Sequence, residues 1–134
     1  MNILVIDGQG GGIGMLLVSG RKSEYPDFFV TAVGANSIAT SAMLKAGADA
    51  AATGENAVCV GCRKADVIAG PVGIVIADAL LGEITPKMAA AIGQSDVKRV
   101  LVPVNHCDNI VDGVGDKPMA KLVQSAVKEI GKGS

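Results

Sequence analysis

Aromatic side chains are nearly missing from this 134-residue chain: there is no tryptophan, one tyrosine (Tyr25) and two phenylalanines (Phe28, Phe29). Without a row of aromatics there is no stacking platform for single-stranded nucleic acid. Charge of one sign is missing as well, because 12 basic residues face 13 acidic ones. No basic surface is therefore expected to attract nucleic acid or an anionic membrane. No apolar run reaches the length needed to cross a bilayer, and the chain starts in a strand-like segment with no basic leader. Three cysteines, an odd number, with no secretory signal read as reduced thiols in the cytoplasm. A single histidine, His106, limits any histidine chemistry to one position.

What is present is small and aliphatic. Hydrophobic residues make up 49% and glycines number 18, so Ala, Val, Ile and Gly do the packing. That mixture suits parallel strands buried on both faces, with helices lying close on them. Strand character appears at 2–6, 28–33, 66–70 and 99–104, and more weakly at 49–53. Helical segments with readable ends separate them. Ser37 is placed to cap one and Gly47 to stop it; Thr85 followed by Pro86 starts another, with Gly93 after it. Asp116 and Pro118 open the last helix, Gly131 ends it, and Met119, Leu122, Val123, Ala126, Val127 and Ile130 form its apolar face. The stretch 73–84, "GIVIADALLGEI", reads equally as helix or as strand and loop. Alternating strands and helices predict a three-layer, Rossmann-like α/β sandwich with about five mainly parallel strands, a single domain over 1–134 with a frayed tail at 131–134.

In such a fold ligands bind outside the carboxyl ends of the strands. The segments falling there are 7–14, 34–37, 53–56, 70–73 and 105–109, reading DGQGGGIG, GANS, TGEN, GPVG and NHCDN. All are rich in small or polar residues, while the strands feeding them are apolar. The first holds five glycines in seven positions, immediately after strand one. Glycine there leaves backbone N–H groups uncovered, and a helix beginning at the same point adds its positive dipole end, so the turn is a candidate phosphate cradle. The competing explanation is close packing of the helix against the sheet. Candidate ligand-binding residues are Gly8, Gln9, Gly10, Gly11, Gly12, Ile13 and Gly14, with Asn36, Ser37, Thr53, Gly70 and Pro71 from the neighbouring loops. Asp7 is expected to stiffen the turn by accepting loop amides.

Through Gly8, Gly12 and Gly14 the turn has the spacing G-x-x-x-G-x-G and resembles the glycine loop of short-chain dehydrogenases/reductases. The likeness ends with the first strand, loop and helix. Those enzymes use a Tyr-x-x-x-Lys pair, whereas Phe29 follows Tyr25 where the lysine would stand. The acid expected at the end of strand two for an NAD ribose is also missing, with Asn36 and Ser37 in its place. NAD, NADP, a mononucleotide and a phosphorylated metabolite all stay open as ligands. End to end, the stretches "MNILVIDGQGGGIG", "NSIATSAMLKAGADAAATGENAV", "CRKADVIAGPVGIVIADALLGEITPKMA" and "IGQSDVKRVLVPVN" resemble a family of short bacterial proteins of unknown function. That resemblance implies a stand-alone cytoplasmic protein and no assigned activity.

Cysteine chemistry is the alternative. Cys59 and Cys62 form a CxxC, and with His106 and Cys107 they would make four soft ligands if they converged. Adjacent residues such as His106 and Cys107 rarely point at one ion, so a metal site is not the expectation. His106, on the predicted rim, is the candidate catalytic group, as acid, base or phosphate donor. Asp78, Glu83 and Asp108 read as solvated carboxylates, and Arg63, Lys64, Lys98 and Arg99 as solvated cations on the opposite rim. A third reading is an interaction subunit without ligand; the aliphatic surplus favours a homo-oligomer in any case.

Overall fold

The computed structural model describes residues 1–104 and 109–132. Five strands, β1 (Asn2–Asp7), β2 (Phe29–Gly34), β3 (Ala50–Thr53), β4 (Val67–Pro71) and β5 (Lys98–Val102), form one sheet in the order β3-β2-β1-β4-β5. Every neighbouring pair is parallel. The helices are α1 (Gly12–Glu24), α2 (Ser37–Lys45), α3 (Glu55–Lys64), α4 (Pro86–Gly93) and α5 (Met119–Gly131). The fold is thus the expected α/β three-layer, Rossmann-like sandwich.

The alternation along β1 explains the layers. Ile3 and Val5 point into a core shared with Leu17 and Val18 of α1, Ala39 and Met43 of α2, and Val123, Ala126, Val127 and Ile130 of α5. Leu4 and Ile6 point to the other face, against Val58 and Cys62 of α3 and Met88, Ala89 and Ile92 of α4. Strand side chains alternate between faces, and both faces here are covered, so apolar residues run continuously along the strand. β3 was faint in the sequence for a physical reason: its alanines are half-buried or exposed at the sheet edge.

Several local expectations need correcting. Asn36, and not Ser37, caps α2: its Oδ1 accepts the Ala39 N–H at 2.9 Å. A cap must precede the first helical residue, and Ser37 is already inside the helix. Asp116 does not cap α5, whose N-cap position is held by Pro118 without a side-chain bond. Thr85 and Pro86 do open α4, with Thr85 Oγ1 accepting from Met88 N. The CxxC lies within α3. Residues 73–84 form neither an α-helix nor a strand. A short 3-10 turn at Val72–Val75 leads into successive turns in which Asp78, Leu80 and Leu81 take left-handed backbone angles. Among the described residues no helix is long and apolar enough to cross a membrane.

Candidate functional site

The connections leaving β1 and β4 run to opposite faces of the sheet, since α1 lies on one side and α4 on the other. Between these two adjacent strands the sheet order reverses, and a crevice opens at their carboxyl ends. A cavity of about 160 Å³ lies there, lined by Asp7, Gly8, Gln9, Gly10, Gly11, Gly12, Ile13, Pro71 and Leu80.

The five glycines of this turn divide into two kinds. A Cβ on Gly8 would fall 2.5 Å from Glu83 Oε1 and 2.8 Å from Leu80 Cδ1, and one on Gly14 would fall 2.5 Å from Met43 Sδ and 2.9 Å from Asp7 Cβ. Gly11 has φ +74°, and a Cβ there would meet the Ala39 backbone at 2.8 Å. These three are required by close approach or by backbone angle. Gly10 and Gly12 have neither constraint: a Cβ on either meets nothing within 4 Å, and neither has a positive φ. Both are exposed and border the cavity.

Carboxylates already hold part of the turn. Asp7, 5% exposed, accepts Gly8 N–H through Oδ1 and Gly14 N–H through Oδ2, each at 2.7 Å. This is the stiffening expected of it. Glu83 reaches across from the 76–84 turn, where Oε1 accepts Gln9 N–H at 2.6 Å. Its two oxygens also accept from Asn36 Nδ2 at 3.1 and 2.9 Å, and Asn36 Nδ2 donates further to Gln9 O. Gly11 N–H donates to Gly8 O. Among the described residues the N–H groups of Gly10, Gly12 and Ile13 have no acceptor. Gly12 and Ile13 are the first two residues of α1, where the helix dipole is most positive.

The other predicted positions separate. Pro71 lines the cavity. Asn36 braces the turn from α2. Ser37 lies instead in a hollow of about 550 Å³ between α1 and α2, beside Met15 and Ile38. Thr53 sits two strands away, its hydroxyl 2.7 Å from Thr40 Oγ1. Gly70 is a packing glycine pressed against the Ile6 carbonyl. Another hollow of about 360 Å³ lies over β2 and β3, beside Phe29, Ala57 and Val60. These larger hollows have mainly aliphatic or small linings.

Glu83 is the residue that sequence reasoning misplaced. It is no solvated carboxylate: it is half-buried and bonded to Asn36 and Gln9, which lie 47 and 74 positions away. No local signal marks that contact. Lys98 and Arg99 are likewise engaged and not merely solvated: Lys98 Nζ donates to the Glu129 and Lys132 carbonyls, and Arg99 to the Ser95 carbonyl.

His106, Cys107 and Asp108 lie outside the described residues. Cys62 is buried, Cys59 half-buried, and both are free thiols on α3. Burial, then the neighbouring Cys59, push the Cys62 thiol up from 9.0 to about 11. A thiol so shifted is protonated at neutral pH and is a poor nucleophile or metal ligand. Among the described residues no three His, Cys, Asp or Glu side chains gather to hold a metal.

The chain belongs to the family described as Domain of unknown function (DUF3842), whose model matches residues 2–133. No curated protein matches it in sequence. Among solved structures it is similar to a dodecameric FMN-dependent UbiX-like decarboxylase from Escherichia coli O157:H7. The two are 18% identical with a TM-score of 0.49, over 98% of this chain and 76% of that one.

Proposed function

We propose that this protein binds a phosphate-bearing ligand, a nucleotide or dinucleotide such as NAD(P), at the turn between β1 and α1. One observation carries the reading. Among the described residues, Gly10 and Gly12 have no packing or backbone reason to be glycine, and the N–H groups of Gly10, Gly12 and Ile13 beside the cavity are unclaimed. A side chain at either position would stand between those donors and an incoming anion. A helix start with open N–H groups attracts phosphate through both hydrogen bonds and dipole. In this reading Asp7, Glu83 and Asn36 keep the turn in shape, while Pro71 and Leu80 form an apolar wall. Binding of this kind serves metabolite sensing as well as catalysis.

The same reading makes the chain a single cytoplasmic domain acting as a homo-oligomer. Free thiols suit a reducing compartment. The exposed Met15, Ile38, Leu44 and Phe29 offer apolar surface for a second copy to cover.

The test is a thermal-shift panel of NAD(H), NADP(H), ATP, AMP, FMN and coenzyme A on the wild type and on Gly12→Ala. A ligand at a hundred times its Kd stabilises the fold by about 2.7 kcal/mol. The expected result is a shift with at least one compound that shrinks in the still-folded variant. Silence across the panel, or a shift indifferent to Gly12→Ala, would remove the cradle.

A further inference from the structure

The polar groups around the turn carry information about charge. The donors at the cavity are backbone N–H groups and the side-chain amide of Gln9, all of them neutral. No lysine or arginine is among the residues lining the cavity. Two carboxylates are fixed on the same turn: Asp7 in the cavity wall, bonded to Gly8 and Gly14, and Glu83 bonded to Gln9 and Asn36.

Phosphate groups differ in how much charge they bring. A phosphomonoester at pH 8 is a dianion, its second ionisation having a pKa of about 6. Each phosphoryl of a diester or of an internal pyrophosphate carries a single charge. Sites for dianionic phosphate commonly add Lys or Arg, whereas dinucleotide pyrophosphates are held on the N–H groups of a helix start. In this turn a second negative charge would meet no lysine or arginine in the cavity lining and would be repelled by the Glu83 carboxylate bonded to Gln9. The cavity, about 160 Å³, is below the roughly 300–1,000 Å³ of sites enclosing a drug-sized ligand. Only the phosphate end of a nucleotide would be enclosed. Leu80 and Pro71 then border it with carbon, which suits an esterified oxygen better than a bare charged one.

We infer, resting on the phosphate reading above, that the site selects singly charged phosphodiester or internal pyrophosphate groups over terminal phosphomonoesters. Glu83 is the specificity-determining residue, acting through its charge beside Gln9 and Asn36. Its partners already fix the carboxylate in place, so it needs no rearrangement to exclude a dianion.

The experiment uses a matched pair at pH 8, AMP and its methyl phosphodiester, with NAD as a pyrophosphate probe. Binding to the wild type and to Glu83→Gln is measured by calorimetry, and thermal melting confirms that the variant folds. The diester and NAD are expected to bind the wild type at least roughly tenfold tighter than AMP, and the gap is expected to narrow in Glu83→Gln. AMP binding as tightly as its methyl ester would overturn the selectivity and leave phosphate binding standing. A gap undiminished in folded Glu83→Gln would overturn the role of Glu83. If AMP, the diester and NAD all fail to bind either protein, while the ligand panel is also silent, the phosphate reading itself falls.

Discussion

The two ends of the parallel sheet treat their polar groups in opposite ways. At the amino end side chains are tied to backbone. Arg21, 3% exposed, donates to the Phe28 carbonyl at 3.1 Å and the Gly47 carbonyl at 3.0 Å, and pairs with Asp49 at 3.7 Å. Asp49 and Asp66 accept the N–H groups of Val30 and Asn2, each at 2.8 Å, and Tyr25 stacks on Phe28 with ring centroids 4.9 Å apart. At the carboxyl end three N–H groups have no acceptor among the described residues and border a cavity, and Gln9, Asp78, Leu80 and Leu81 hold left-handed backbone angles without being glycine. Such angles cost of order 1–3 kcal/mol each and persist only where surrounding contacts enforce them. Open backbone donors and tolerated strain at one end, with side chains tied to backbone at the other (the buried Arg21 Nε alone of its nitrogens making no bond), separate a working surface from a structural seam.

The amino-end seam depends most on Arg21. Arg21→Ala removes both carbonyl partners from a buried position, and the expected loss is about 3 kcal/mol of unfolding free energy. The Arg21–Asp49 pair adds little to that figure, because the Asp49 side chain is 40% exposed. Urea denaturation measures the loss, and a ligand-induced shift should survive in the variant, since the change lies at the end away from the cavity. A loss under about 1 kcal/mol would mean that the seam is not what holds this end together.

Inside the turn the same contrast recurs between neighbouring glycines. Gly11→Ala must place a methyl 2.8 Å from the Ala39 backbone at φ +74°, and is expected to cost about 2 kcal/mol or more. Gly12→Ala enters open space and is expected to stay within about 0.5 kcal/mol of wild type. Paired denaturation curves decide it. Equal costs at the two positions would erase the division into packing and access glycines.

Sequence patterns reach these conclusions only part of the way. β1, β2 and β4 are apolar runs that a sheet covered on both faces requires, so their existence was readable. So was α4, through the cap of Thr85 and the fixed backbone of Pro86. The glycine turn was readable as a turn, but which of its glycines pack depends on Ala39, Met43 and Glu83, none of them near in sequence. Residues 73–84 read as helix or as strand and loop because leucine seldom adopts left-handed angles, and nothing local announces when tertiary contacts impose them. The same limit hid Glu83, whose role is defined entirely by partners from other loops.

The smallest expected effect concerns the thiols of α3, which lie on the sheet face opposite α1. Folding raises the Cys62 pKa from 9.0 to about 11, first through burial and then through Cys59. The native state therefore keeps a proton that the unfolded chain has begun to release, and the sign follows from that difference. Cys62 contributes stability in full below pH 9, and that contribution fades as pH rises through about 11. Comparing unfolding free energies of wild type and Cys62→Ala from pH 8 to 11 isolates the thiol from other titrating groups, and the wild type should show the steeper decline. Alkylation at pH 8, read site by site by mass spectrometry, should modify the half-buried Cys59 well before Cys62. Equal rates would mean that Cys62 is reached in the folded protein, and would reopen the cysteine chemistry that its burial now argues against.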